Sequence, residues 1–399
     1  MTAASHVSFS PGRRAVLLGL GASFALGRAR LAFGQAPGDG RLVVILLRGA
    51  VDGLYVLQPY GDPGLAELRA PLVLPEPGQE GGLLDLGGRF GLHPAFVTLH
   101  AMYAANQATL LHAVAGPYRN RSHFEAQDLL EGGAGGRLSS GWLNRALQGL
   151  PAGGRSRNGL AIGTGVPLLL RGEEPVGAYA PPGLTRPADE LLARIAGLQQ
   201  ADARVGPAFT EGLRARGFAT ETLGDPDRDP QRGSFPRLAA AAGRLLATAE
   251  GPRVAALELG GWDTHVNQPG SIAGAIRALD AGLGQLREGL GGEWARTAVL
   301  VVTEFGRTAR VNGTMGTDHG TGGIAFLVGG AVQGGRVIAD WPGLAEARLF
   351  ENRDLMPTQD LRSIAKGLLR DHLRLPDAAV AQAFPGSAEA PAMGGLLRG

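Results

Sequence analysis

The chain of 399 residues contains no cysteine. Disulfides, a thiolate nucleophile, cysteine-bound zinc and a lipid anchor on cysteine are thereby excluded. No Gly-x-Gly-x-x-Gly follows the first apolar run, which with the missing thiols argues against a redox enzyme holding an organic cofactor. Beyond the N-terminal region no apolar stretch approaches 18 residues, so the sequence offers no integral membrane segment for the mature chain. Charge is sparse as well, at 19% of residues. The formal charge of +2 is misleading, because Arg13, Arg14, Arg28 and Arg30 lie in the first 36 residues, which hold no acid. Without that segment 34 basic residues face 36 acidic ones, a net charge of −2. Such a balance gives no reason to expect nucleic acid or an anionic membrane as partner.

What is abundant is glycine (65) and proline (26), together about 23% of the chain, beside 44% hydrophobic residues. That combination describes a globular protein with many long loops. The segment Ser10-Pro11-Gly12-Arg13-Arg14-Ala15-Val16-Leu17 sets paired arginines before an apolar stretch, Ala15 to Leu26, too short to span a bilayer. Small residues follow, with a cleavage position after Ala36. The arrangement resembles a twin-arginine signal, so residues 1–36 are expected to be an address read by the twin-arginine translocase. The protein would then be periplasmic or secreted, and residues 37–399 would form one domain.

Short apolar runs at 42–47, 109–114, 254–259, 297–303 and 324–328 read as buried strands. Helical patterns are expected over 122–130, 188–198, 236–249, 272–290 and 359–369. The first has Ser122 as N-cap and Glu125 in a capping box. Strands separated by helices predict an α/β fold, a mostly parallel central sheet with helices on both faces. Gly/Pro-rich stretches near 60–95 and 150–190 read as irregular insertions, 225–230 as an exposed turn, and the chain beyond about 375 as a mobile tail.

Polar groups cluster directly after those strands. They are Arg48 and Asp52, then Arg119, Arg121, Ser122 and His123, then Asp263 and His265, then Glu304 and Arg307, and finally Asp318 and His319 ahead of the last run. In an open α/β sheet ligands bind beyond the carboxyl ends of the strands, so these groups are expected to converge. Asp, Glu and His are ligands for zinc and similar divalent ions, and a metal can activate a serine hydroxyl. Ser122 at a helix start would face a phosphoryl or sulfuryl group toward free N–H groups, and arginines suit such oxyanions. Plainer roles stand beside these: a cap for Ser122, a turn for Asp52, an ion pair between Glu304 and Arg307. His93, His100 and His112 read as structural, with His93 kept as a candidate substrate contact. Asp128, Glu131 and Arg137 read as solvated or capping charges.

The ordered motifs Arg48-Gly-Ala-Val-Asp52-Gly-Leu54, Arg121-Ser-His-Phe-Glu125-Ala-Gln-Asp128, Gly260-Gly-Trp-Asp263-Thr-His265, Thr303-Glu-Phe-Gly-Arg-Thr308 and Thr317-Asp-His-Gly320 resemble the exported bacterial family called domain of unknown function 1501. The resemblance spans about residues 40–372. It implies an alkaline phosphatase-like three-layer sandwich, from a superfamily that cleaves or transfers phosphate and sulfate esters with divalent metals. It implies Ser122 as nucleophile, Arg121 and Arg48 as oxyanion clamps, and His123, Arg307 and His93 as substrate contacts. Asp52, Asp263, His265, Glu304, Asp318 and His319 become metal ligands. One site would be zinc-like, and a second, carboxylate-only site (Asp52 and Glu304) would suit Mg, Ca or Mn. Phe305 stands where the superfamily often has an imidazole. That departure, and the short Asp263-to-His265 spacing, favour a competing expectation, a non-catalytic member of the fold that binds a glycan or protein at the cell surface.

Replacing Arg13 and Arg14 together by Lys is expected to stop export, because a translocase that reads guanidinium groups is not satisfied by charge alone. Cell fractionation checks this, and normal periplasmic accumulation of the double variant would exclude the route.

Overall fold

In the computed structural model, which describes residues 40–150, 158–180, 222–223 and 234–399, each apolar run becomes a strand with both faces covered. The main strands are β1 (Arg41–Leu47), β5 (Ala108–Ala115), β6 (Gly159–Ile162), β7 (Gly177–Tyr179), β8 (Val254–Leu259), β9 (Thr297–Thr303), β10 (Gly323–Val328), β11 (Arg336–Ile338) and β12 (Gln359–Asp360). They form one nine-stranded sheet in the order β11-β5-β10-β9-β1-β8-β6-β7, with β12 beside β5. Every pairing is parallel except those of β10, which runs antiparallel to β5 and β9.

Alternation along β1 shows why its sequence carries no apolar/polar pattern. Val43, Ile45 and Leu47 enter one core with the helices Val97–Ala104, Phe235–Ala247 and Gln268–Leu290. Leu42, Val44 and Leu46 enter the other with the helices Trp142–Leu147, Leu361–Gly367 and Asp377–Ala383. A strand buried on both faces is apolar throughout. On the first face Ile272, Ala275, Ile276, Leu279, Leu283, Leu286 and Leu290 keep a 3.6-residue period. Helices Phe235–Ala247 and Gln268–Leu290 approach closely because Gly243 and Gly289 face each other's backbones; a Cβ on Gly243 would lie 2.6 Å from Leu286 O.

Several expectations are corrected. The 60–95 stretch is not irregular: it carries a helix, Gly64–Arg69, and two of the three strands of a small antiparallel sheet of β2 (Leu57–Gln58), β3 (Leu84–Asp85) and β4 (Gly91–Leu92). Within 150–190, β6 and β7 extend the main sheet. Beyond 375 the chain is packed, with Val380, Phe384 and Leu396 in the second core. Lys366, the sole lysine of the chain, pins this segment by donating to Ala390 O at 2.7 Å and to Ser387 O. The expected helix at 188–198 and the turn at 225–230 lie outside the described residues. Residues Gly40–Gly399 group as one compact unit. No described helix is long and apolar enough to cross a membrane.

His112 and His372 are structural. His112 is fully buried in β5, donates through Nε2 to Leu57 O at 3.0 Å and accepts from Ala113 N–H at 2.9 Å. His372 donates to Arg41 O at 2.8 Å. Burial pushes each down to about 4 from an ordinary 6.5. Unfolding would restore the higher value, so the unfolded chain binds more protons between these limits. Stability is therefore present above pH 6.5 and is lost as the pH falls toward 4, by on the order of 2 kcal/mol per histidine at pH 5. Urea unfolding at pH 7 and pH 5 checks this, and equal midpoints would show that the rings are not held neutral.

Candidate metal centre

Strands β1, β5, β8 and β9 point the same way, so the loops after them emerge at one edge of the sheet. The antiparallel β10 begins at that edge, which brings the segment before it to the same place. Four polar side chains from three of these segments meet there: His123 after β5, Asp263 and His265 after β8, and His319 before β10. His123 Nε2 lies 3.0 Å from His319 Nε2, which lies 3.0 Å from His265 Nε2. Asp263 Oδ1 lies 3.0 Å from His265 Nε2 and 3.5 Å from His319 Nε2, and Asp263 Oδ2 lies 3.6 Å from His123 Nε2.

Each imidazole is oriented from behind by an acceptor at Nδ1. His123 Nδ1 meets Glu304 Oε1 at 2.7 Å, His265 Nδ1 meets Asp318 Oδ1 at 3.1 Å, and His319 Nδ1 meets Arg121 O at 2.9 Å. A carbonyl or carboxylate cannot donate, so Nδ1 of each ring carries a proton, and Nε2 of each ring faces the common centre. Arg307 offsets part of the charge at that centre, pairing with Asp263 and lying 3.4 Å from His265 Nε2, and the remaining nitrogens repel one another unless a proton or cation lies between them. Bonds of about 2.0–2.1 Å to a tetrahedral ion separate neighbouring ligands by about 3.4 Å, close to the spacings here. His123, His319 and Asp263, whose ligand atoms all lie within 4.8 Å of one another, thus fit one zinc-like ion, with acceptors that fix the ring tautomers, and His265 stands beside them at 3.0 Å from His319 Nε2.

Electrostatics agree with that donor set. Burial would raise the Glu304 carboxyl, but hydrogen bonds from His123, from the N–H groups of Glu304 itself and Gly49, and from Gln127 hold it down at about 2. Asp263 is likewise held low: burial opposes ionisation, and Arg307, His265 and His123 outweigh it. His319 is pushed down by burial and by the charges of His123 and Arg307, against the pull of Arg121 O and Asp263. Phe305, 3% exposed, packs at 4.9 Å from the His123 ring and 5.3 Å from the His319 ring. It holds the rings in place without ligating anything.

Arg307, expected at the substrate, is engaged within the protein. Its side chain is wholly buried, and its guanidinium donates to Ala50 O (2.7 Å), Gly49 O (2.8 Å), Thr317 O (3.1 Å), Trp262 O (3.3 Å) and the Asp263 carboxylate. Three loops are tied to one cation. Gly49, at φ +117°, is required here, since a Cβ would lie 2.6 Å from Asp263 N.

Asp52 is not brought to the cluster. Its oxygens accept from Arg69 in a fully buried bidentate pair and from Gln268 Nε2 at 2.7 Å. Gln268 Oε1 in turn accepts from Thr264 (2.9 Å) and Thr317 (2.8 Å), the residues just before His265 and Asp318. A buried carboxylate needs a cation, and Arg69 fills that need instead of a metal. Glu304 and Asp318 reach the centre only through His123 and His265. The carboxylate-only second ion site is therefore not assembled.

The other expected arginines are engaged too. Arg48 pairs with Glu131 and Glu258, and Glu131 is buried rather than solvated, also accepting from Leu169 N–H at 2.8 Å. Arg121, left-handed at φ 61°, turns its carbonyl to His319 while its guanidinium pairs with Asp354 and Glu351. His93 lies against Tyr55, its ring at 5.3 Å, and accepts from Ala95 N–H, away from the cluster. Ser122 precedes the helix His123–Gly132 at the expected edge, but the capping box does not form: its hydroxyl caps nothing, and Glu125 accepts from Tyr118 Oη at 2.7 Å. Sequence reasoning placed His123 with the substrate, although its position beside Ser122 already marked it. Nothing in the Gly/Pro-rich surroundings of Arg69 announced its role, and Gln268 lay outside every motif and ahead of the expected helix.

Residues 100–383 match the family described as "Protein of unknown function (DUF1501)". Among solved structures the chain is similar to the phosphonate monoester hydrolase of Agrobacterium radiobacter, at 12% identity over 84% of this chain and 74% of that one, TM-score 0.33. It is similar to the PsFucS1 sulfatase from Pseudoalteromonas sp., at 11% identity over 97% and 76%, TM-score 0.36. It is also similar to the C-terminal periplasmic domain of EcEptC from Escherichia coli in complex with Zn, at 9% identity over 75% of each chain, TM-score 0.32. No curated protein matches.

Arg307→Lys tests the clamp. An ammonium has three donors for five acceptors, and each buried acceptor left unpaired costs about 1–3 kcal/mol. The substitution is expected to lower the unfolding free energy by roughly 3 kcal/mol in urea titration, whereas a wild-type midpoint would show that the loops hold without it.

Proposed function

Because the chain belongs to the DUF1501 family, whose description assigns no activity, we propose a function from the site itself: an exported, metal-dependent hydrolase of phosphate or sulfate esters. The observation that carries the reading is the convergence of His123, His319 and Asp263, with His265 beside them. A divalent ion held there would supply positive charge for a tetrahedral oxyanion and lower the pKa of a coordinated hydroxyl. Ser122 Oγ attacks phosphorus or sulfur. It caps no backbone group, and it sits between Arg121, whose carbonyl orients His319, and His123. The substrate alcohol leaves, and water then releases the anion from the serine. The helix start at His123 sets N–H groups and the positive dipole end beside that centre.

The second reading, a non-catalytic member that binds a glycan or protein, draws support from the arginines: Arg48, Arg121 and Arg307 are all engaged within the protein, leaving no guanidinium clamp. One experiment separates the two. Metal-free protein is titrated calorimetrically with zinc and then assayed on aryl phosphate and aryl sulfate esters. One tight site is expected, lost in His123→Ala and His319→Ala and kept in Asp52→Asn. Ser122→Ala is expected to lower kcat roughly a thousandfold or more with zinc affinity unchanged. Tight zinc binding without turnover of any ester supports the binding reading, and no zinc binding at all overturns the metal centre.

A further inference from the structure

Five large hydrophobic side chains are exposed among the described residues: Val73, Val97, Phe124, Val266 and Met315. Exposed apolar residues scattered singly are ordinary. Three of these five are not scattered. Phe124, 84% exposed, follows His123; Val266, 59% exposed, follows His265; and Met315, 45% exposed, stands in the turn before Asp318.

Two of them are displayed from one braced structure. Asn267 N–H donates to Thr314 O at 2.9 Å and Gln268 N–H to Met315 O at 2.8 Å. Asn312 Nδ2 and Thr314 Oγ1 both donate to His265 O, at 2.9 and 2.7 Å. Asn267 (φ 43°) and Met315 (φ 58°) are left-handed. Non-glycine residues hold that conformation only where their surroundings impose it, and such positions gather at ligand sites. A methionine there offers a polarizable, adaptable contact.

The charges around the same mouth are engaged within the protein. Arg48, Arg121 and Arg307 are engaged as described. Arg353 donates to Asp354 and to His319 O. Asp263 pairs with Arg307, and Asp318 accepts from His265 and Asn312. A ligand bearing several anionic groups needs several unpaired cations. An apolar group gains by covering Phe124, Val266 and Met315.

Resting on the hydrolase reading above, we propose that the site takes monoesters of a single anionic group with an apolar alcohol. The anion faces the imidazole cluster, and the apolar part lies against Phe124, Val266 and Met315. Densely charged glycan esters are excluded by the same surface.

The test compares octyl phosphate with glucose 6-phosphate, which share the anion and differ in the organic part. Both are titrated calorimetrically into zinc-loaded protein and both are assayed for phosphate release. Octyl phosphate is expected to bind at least tenfold more tightly. The triple variant Phe124→Ser, Val266→Ser, Met315→Ser is expected to lose that preference while zinc affinity and unfolding temperature stay at wild-type values, since all three side chains are exposed and none is a ligand. Equal binding of the two compounds by the wild type, absent binding of both included, overturns the proposal, as does a preference that survives in the triple variant. Preferential binding without phosphate release upholds the apolar rim and overturns the hydrolase reading. Release of phosphate from both at equal kcat/KM upholds the hydrolase and overturns the rim.

Discussion

A single buried cation holds the candidate site together. Arg307 reaches the carbonyls of Gly49, Ala50, Trp262 and Thr317 and the carboxylate of Asp263, so the loops after β1 and β8 and the loop before β10 are set against one another by one planar group. Burying a guanidinium is costly unless all its donors are used, and here that cost is offset by five acceptors that would themselves be orphaned without it. Neither side can be removed separately. Lysine could not replace it, having neither the donors nor the fork geometry.

Around that clamp the site is built in shells of decreasing rigidity. Asp52 and Arg69 form a buried pair, Gln268 extends it, and Thr264 and Thr317 hang from Gln268 immediately before His265 and Asp318. Glu304, Asp318 and Arg121 O then fix the three rings from behind. Charged residues at this edge serve mainly to position others, and only Asp263 brings charge to the centre itself.

Much of the fold was legible because strand and helix periods differ. The five apolar runs became strands within a residue or so of their expected ends, and the mostly parallel sheet with both faces covered followed from their lack of alternation. β6 and β7 were missed because four and three residues, flanked by glycine and proline, give too little period to separate from a loop. The terminal segment was missed because its core residues, Val380, Phe384 and Leu396, are held by tertiary contacts and by Lys366 rather than by a pattern of their own. At the site, residue type and position after a strand told that groups from these loops would converge, but not that Asp52 would stay outside the cluster. They did not tell which partner each would take. A carboxylate after a strand looks the same whether it meets a metal, as Asp263 can, or a guanidinium seventeen residues away, as Asp52 does.

The ring contacts also tie ligand binding to folding. His123 and His319 are 196 positions apart in the chain, and His123 and Glu304 are 181 apart. Those distances are closed only by the completed sheet, so an ion that requires both rings has no site on the unfolded chain. Its binding free energy then adds to the stability of the native state, by about 2.7 kcal/mol when the free ion stands at a hundred times its dissociation constant. A chelator would then act on the metal-loaded protein as a mild denaturant.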